Sequence, residues 1–283
     1  MWNTRAKAGS TVFGLVIAVA VAASAAAKAA DTEPVPQNDA DFTVREISSA
    51  LFKAKPGQRL DYSHHDLTYL DLAGLDFKGA NLAHSDLYGT DFTGANLKGS
   101  DLSHTRLNRS VLIRADLSGA DLTGATIFRP TVYDDLSQNL ADAPRFSGAN
   151  MTDVRVMANL SGADFRGANL TGADFSPLES RPGQGTITSL MRNVLKSCDF
   201  TGTALKGANF NRADLTFSRF VGADLAGANL AKTDLSKVDF TGADLTGADM
   251  SGADLYGATL TGAKGLDTVK GLSTAVNVDK ATH

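Results

Sequence analysis

Three histidines, His64, His84 and His104, recur at intervals of twenty residues. Imidazole is the commonest protein ligand for divalent metals, with metal–nitrogen bonds of about 2.0–2.1 Å. A fold that brings one residue in twenty to a common edge would stack the three rings, and after rotamer adjustment they could share a weakly held divalent ion. Duplication of a polar surface repeat gives the same ladder without a metal. A second group is cationic: Arg106, Arg109, Arg114 and Arg129 gather in one stretch, with Arg109 and Arg129 again twenty apart. These four are the candidate contact for an anionic partner, against the plainer reading of surface charge balance.

Chemistry beyond that is sparse. Ser63-His64-His65-Asp66 holds the residue types of a hydrolytic triad, but neighbours in an extended chain point in different directions, so they cannot form one. There is no G-x-S-x-G, H-E-x-x-H, P-loop or C-x-x-C pattern. The single cysteine, Cys198, has no partner for a disulfide and no His or Cys at ligand spacing, which suits a small buried residue. The expectation is a protein with no catalytic residues and no cofactor.

The elements that must position these residues are set by composition and period. The chain has 283 residues and a formal net charge of −4; its hydrophobic content is an ordinary 43%, with one Trp and 27 Gly. Bias towards Ala, Gly, Asp, Leu, Thr and Ser suggests repetition. The first thirty residues contain Arg5, Lys7 and Lys28 and no acid, so without them the charge falls from −4 to −7. A mildly acidic body argues against binding nucleic acid through a general basic surface.

Arg5 and Lys7 precede an uncharged run whose strongest apolar part is Val12 to Val19. A basic start, a short apolar stretch and the small-x-small sites from Ala23 to Ala29 read as a cleaved export signal over residues 1–30, with cleavage between Ala25 and Ala30. An uncleaved membrane anchor is the competing reading, but a span wants about 20 strongly apolar residues. Export predicts a periplasmic or secreted protein with no stable span after cleavage.

Residues 31–60 are read as a proline-bearing linker and then a short helix, since Val44, Ile47 and Leu51 fall on one helical face. The helix is expected to cover the first coil of a solenoid, because an open solenoid end exposes core side chains and unpaired strand groups.

Over residues 61–260 a five-residue unit takes over, as in Ala115-Asp116-Leu117-Ser118-Gly119 and Ala243-Asp244-Leu245-Thr246-Gly247. Around a central Leu or Phe, position −2 is usually Ala, −1 Asp or Asn, +1 polar and +2 often Gly. A helix cannot use this pattern, because steps of five residues smear the leucines around its cylinder. A flat strand fails too, since apolar spacings of two and then three break the alternation. The spacing predicts a short extended side and then a corner, with Gly at the corner position that needs φ > 0. Phe200, Phe220 and Phe240 share the centre position at intervals of twenty, and Lys78 and Lys98 share position +1. Twenty residues per turn makes four sides. Outward aspartates then stack, Asp66 with Asp86, Asp224 with Asp244 and Asp234 with Asp254. Their repulsion is only about 0.9 kcal/mol at the dielectric of water, so a solvated acidic face needs no cation.

These units resemble the pentapeptide-repeat family. The resemblance implies an all-β fold, a right-handed quadrilateral β-helix with a short N-terminal helix. About 36 units at four per coil and about 4.8 Å between coils give a rod roughly 43 Å long. Two interruptions, 133–145 and 176–189, are candidate partner-contact loops, and 261–283 leaves the pattern as a C-terminal cap or tail.

The function expected is a non-enzymatic binding or scaffold protein offering rigid faces and loops to a protein or envelope component; a homodimer is compatible with this. The resemblance also implies a second reading, a DNA mimic acting on a topoisomerase such as gyrase, which would require a cytoplasmic product. The third is weak divalent-metal binding at the histidines.

Overall fold

The computed structural model describes residues 40–133, 139–178 and 192–282. The export segment, most of the linker and the centres of both interruptions lie outside the described residues.

The five-residue unit closes into a four-sided coil. Each residue before a centre makes a parallel bridge with its equivalent one coil on: Asp61 with Asn81, Asp66 with Asp86, Asp71 with Asp91 and Asp76 with Asn96. We call the faces that begin at these four residues the first to the fourth, and each corner takes the number of the face before it. Traced to the end, the bridges define ten coils between Asp61 and Thr282. Backbone bonds run both ways between coils, for example Leu67 N to Asp86 O at 2.9 Å and Asp86 N to His65 O at 3.0 Å. A side is so short that most faces contribute one bridge residue per coil. Continuous pairing occurs only between β1 (Thr126–Phe128) and β2 (Arg155–Met157), where Ile127 lies opposite Val156.

The corners are hydrogen-bonded turns, as where Ala80 N donates to Phe77 O at 2.9 Å, and Gly79 takes φ +72° there. A residue with a Cβ at such a position costs about 1–2 kcal/mol. Glycine occupies the fourth corner in all nine of the five-residue coils, from Gly79 to Gly262.

Inside the coil, centre residues stack by type. Phe146, Phe165, Phe200, Phe220 and Phe240 form one column, with centroid separations of 5.1, 4.8, 4.6 and 5.3 Å. The column predicted from Phe200, Phe220 and Phe240 thus runs two coils further, through unequal sequence steps. At position −2 small hydroxyls often replace Ala and most find a carbonyl: Thr90 Oγ1 donates to Leu67 O at 2.7 Å and Ser218 Oγ to Leu195 O at 2.6 Å, whereas the buried Ser100 Oγ has no partner among the described residues.

The outward aspartates do more than face water. Asp66 Oδ1 accepts the Thr68 N–H at 2.9 Å, and Asp249 Oδ1 accepts both N–H (2.9 Å) and Oγ–H (2.6 Å) of Ser251. Each carboxylate therefore fixes its own corner as an Asx turn. Asparagine does the same and also reaches sideways, as where Asn81 Nδ2 donates to Asp61 Oδ1 at 3.0 Å.

Before the first coil comes α1 (Val44–Lys53), started by a capping box between Thr43 and Glu46. Ile47 and Leu51 are buried in the common core, whereas Val44, expected on the same face, stays 37% exposed. Lys78 Nζ donates to the carbonyls of Leu51 (2.7 Å) and Ala54 (3.2 Å), placing a cation at the helix C-terminus.

Residues 261–283 depart from the five-residue pattern, but the ladder continues through them. Lys264, Lys270, Val276 and Thr282 bridge to the ninth coil. The tenth coil has six-residue sides with short 3₁₀ turns at Leu266–Thr268, Leu272–Thr274 and Val278–Lys280, each entered through a left-handed Gly265, Gly271 or Asn277.

The register shift between the interruptions has two sources. Asp116 pairs with Arg145 across the first insertion, and the side from Arg155 to Asn159 is one residue short. Among the described residues, no helix is long and apolar enough to cross a membrane.

Candidate functional site

The histidine ladder forms as predicted. His64 and His84 lie with centroids 4.7 Å apart and planes 4° from parallel, and His84 and His104 come next at 4.9 Å and 17°. All three are exposed first-corner residues at φ 61°, 59° and 56°. The column ends over Gly124, where a Cβ would meet His104 Nδ1 at 2.6 Å. Lone pairs in parallel rings run side by side, so a shared ion would require the rings to rotate out of the stack. Among the described residues no group of three His, Cys, Asp or Glu side chains is disposed to hold a metal.

Neighbouring His65 goes elsewhere. Its Nδ1 lies 2.9 Å from Asp41 Oδ2, and its ring meets Phe42 edge-on at 4.7 Å. Asp41 also accepts the Asp66 N–H at 2.8 Å. That backbone bond first, and then His65, hold the Asp41 carboxyl below its usual range. Ser63-His64-His65-Asp66 is a corner and the start of the next side.

Of the four arginines, three come together. Arg106, on the second face, grips Asp86 with Nε (2.9 Å) and Nη2 and covers the Tyr88 ring at 4.7 Å. Arg109 stands at the second corner, 5.9 Å from the same ring. Arg129 occupies that corner one coil on, since its side pairs with the next (Arg106 with Thr126). Arg114 is separated from them by the third face. Its N–H donates to Asp142 O at 2.7 Å and its guanidinium to Asp142 Oδ1 at 3.0 Å, so it ties down the first insertion.

Both insertions border the third face. The first leaves after Thr131 and returns at Arg145 through the third corner; the second leaves after Asp174 and returns at Val194 through the second. Their ends are built in. Tyr133 Oη donates to Ser161 O at 2.7 Å, and Leu140 covers Gly162, where a Cβ would come within 2.9 Å of it. Burial pushes the Tyr133 hydroxyl up to about 12. Asn193, fully buried where the second insertion returns, accepts the Ala158 N–H (2.7 Å) and donates to Phe175 O (2.7 Å) and Val156 O (3.0 Å). Nothing in the repeat pattern marks this residue, which stands where Ala is usual. Cys198 is buried, and desolvation pushes its thiol up to about 12.

The sequence matches the family profile described as pentapeptide repeats, eight copies, over residues 66–99, 91–127, 158–176, 194–230 and 223–262. Comparison with curated proteins gives no match. Similar solved structures include HetL from the cyanobacterium Nostoc, involved in heterocyst differentiation regulation. It is 26% identical, covering 86% of this chain and 100% of HetL, with a TM-score of 0.39. A pentapeptide repeat protein from the thylakoid lumen of Arabidopsis thaliana is 35% identical over 36% of this chain and 65% of its own, with a TM-score of 0.28. QnrB1, a plasmid-mediated fluoroquinolone resistance protein, is 21% identical over 79% of this chain and 97% of its own, with a TM-score of 0.40.

Proposed function

Because this chain belongs to the pentapeptide-repeat family, whose members fold as right-handed β-helices, we propose that it is a non-enzymatic binding protein, exported to the periplasm or beyond, that presents its third face and two insertions to a protein partner. The observation that carries the reading is the position of the insertions. Both interrupt the coil at corners bordering one face, and both are anchored by buried or clamped side chains. Segments projecting from a rigid scaffold are the usual bearers of recognition. Helix α1 serves as the N-terminal cap: Ile47 and Leu51 cover the core of the first coil, and Lys78 fastens the end of the helix.

Mimicry of DNA towards a topoisomerase is the second reading. It calls for rows of carboxylates spaced like phosphates, and every face interrupts its row. The second face runs Asp66, Asp86, Arg106, Thr126 and Arg155, and the third Asp71, Asp91, Val111 and Thr131. The face arginines engage carboxylates of adjoining coils, Arg106 with Asp86 and Arg145 with Asp116 at 3.0 Å.

Two experiments test the proposal. Cell fractionation with sequencing of the mature N-terminus is expected to find an extracytoplasmic product beginning between residues 26 and 31; a full-length cytoplasmic protein would overturn export. Pull-down from the envelope fraction should recover a partner with the mature protein and lose it when residues 134–138 or 179–191 are deleted. Undiminished recovery without either segment would sink the assignment to the insertions.

A further inference from the structure

A side chain at a coil corner sits at positive φ, where glycine is the least strained residue. The fourth corner obeys that preference in every five-residue coil, from Gly79 to Gly262. The second and third corners do not. Tyr69, Arg109, Arg129, Arg212 and Lys232 occupy the second at φ 56°, 57°, 53°, 62° and 60°, and Arg114, Ser197, Phe217 and Lys237 the third at 55°, 54°, 63° and 59°, while glycine holds these corners in other coils, as at Gly89 and Gly94. Six of these nine residues are cations, and outside the insertions no acidic residue occupies either corner in the first nine coils. Strained backbone positions cluster at binding sites and switches, and here cations fill them in successive coils, Arg109 then Arg129 and Arg212 then Lys232.

Pairing separates Arg109, Arg212, Lys232 and Lys237 from many of the cations on the faces. On the faces, basic side chains are matched with the aspartate ladders: Arg145 with Asp116 at 3.0 Å, Lys206 with Asp224 at 3.3 Å, and Arg192 and Lys196 with Asp214 at 3.0 and 3.3 Å. Among the described residues Arg109, Arg212, Lys232 and Lys237 enter no salt bridge. Arg109 and Lys237 instead stand over aromatic rings, Lys237 Nζ being 5.1 Å from the centre of Phe217. Phe217 is 56% exposed, unusual for so large an apolar side chain.

We infer that the second and third corners form the two basic rims of a docking surface, the third face, for a protein that presents carboxylates together with apolar side chains. The inference rests on the binding-protein reading and supplies the chemistry of the partner. Charge complementarity sets the sign. Exposed Phe217 and Tyr256 at the third corner, and Val111 and Val194 on the face, supply the apolar contact that a protein interface uses. A uniform polyanion such as DNA fits worse, because it would lay charge along Asp71, Asp91, Asp214, Asp234 and Asp254 between the rims, whereas a protein can set its carboxylates at the rims and apolar side chains between them.

The test uses full mature protein and fluorescence anisotropy with four labelled probes: a fifteen-residue peptide alternating Glu with Phe and Leu, its Lys counterpart, duplex DNA and heparin. The acidic apolar peptide should bind, more weakly as salt rises, and bind better than the other three. The variant R109G/R212G/K232G/K237G removes the cations and relieves the positive-φ strain together. It should lose at least tenfold in affinity while melting no lower than wild type, whereas R166E/K206E, elsewhere on the coil, should leave affinity unchanged. No peptide binding, equal binding by the glycine variant, or tighter binding of DNA or heparin would overturn the inference. Photo-crosslinkers at 212 and at Gly222 of the fourth corner, used in envelope extract, separate this from the broader proposal. Crosslinks only from 222 would keep a binding protein and remove this surface; crosslinks from neither would remove both.

Discussion

At the scale of single residues, the corners set the tolerance of the molecule. Gly119 faces open space, so Gly119→Ala adds only the strain of φ +66° and should cost about 1–2 kcal/mol. Gly271 is held differently, since a Cβ there would lie 2.5 Å from Ser251 Cα and 2.6 Å from Ser251 N, which are backbone atoms that cannot swing aside. Gly271→Ala should therefore be the more damaging substitution and detach part of the tenth coil, read as a larger fall in the urea midpoint and faster hydrogen exchange at Lys270 and Val276. Equal effects would show that the last coil adds nothing to the fold. Cys198 tests burial directly. With its thiol pushed up to about 12 by desolvation, it should ignore a thiol reagent at pH 8 in the folded protein and react fully in denaturant. Rapid labelling under native conditions would mean that the coil opens at the fourth face.

At the scale of elements, interruptions survive only where the coil's polar groups find substitutes. Asn193 is such a substitute, one side chain just after the second insertion meeting three earlier backbone groups, in the fifth and sixth coils. Asn193→Leu fills the space but strands the Ala158 N–H and two carbonyls. Each unmet buried group costs about 1–3 kcal/mol, so the variant should lose several kcal/mol in chemical denaturation, and Asn193→Asp, which keeps only the acceptor, should also be destabilised. A neutral Asn193→Leu would show that water or the insertion satisfies these groups. The same elements mark how far the sequence can be read. The four-sided coil, the Phe200, Phe220 and Phe240 part of its column and the histidine stack are all legible, because each keeps a strict period of twenty, whereas the extension of the column to Phe165 and Phe146 does not. Asn193 is not, since it answers to a gap that no period describes. The tenth coil escapes for a related reason: Lys-Gly-Leu-Asp-Thr-Val and Lys-Gly-Leu-Ser-Thr-Ala repeat with period six, which a five-residue template discards as tail. The basic corners are legible only in part, because Arg106 and Arg114 are near Arg109 in sequence but belong to a face pair and an insertion clamp. Their place in the rim is taken by Arg212, Lys232 and Lys237, which sequence proximity to Arg109 could not suggest.

At the scale of the whole molecule, each coil contacts only its neighbours, so stability is close to a sum of coil and interface contributions. A small local preference repeated along the ladder becomes a global property, and the Asx turns are the clearest case. The Thr246 hydroxyl, and then its N–H, hold the Asp244 carboxyl below its usual range; Ser251 does the same for Asp249. At Asp61 the Ser63 N–H leads, and at Asp164 the Arg166 side chain. A carboxylate whose folded pKa is depressed contributes stability that is fully present above its unfolded pKa, near pH 4, and is lost as pH falls through the folded value. The melting temperature should accordingly stay flat from about pH 7 to pH 5 and drop steeply below about pH 4. Asparagine makes the same turn without the charge, as Asn96 does when its Oδ1 accepts the Lys98 N–H at 3.2 Å. Asp244→Asn/Asp249→Asn should keep the fold and lessen the drop between pH 4 and pH 2, measured by thermal unfolding across that range. A double variant as acid-sensitive as the wild type would mean that the carboxylates are solvated bystanders and that acid acts elsewhere in the coil.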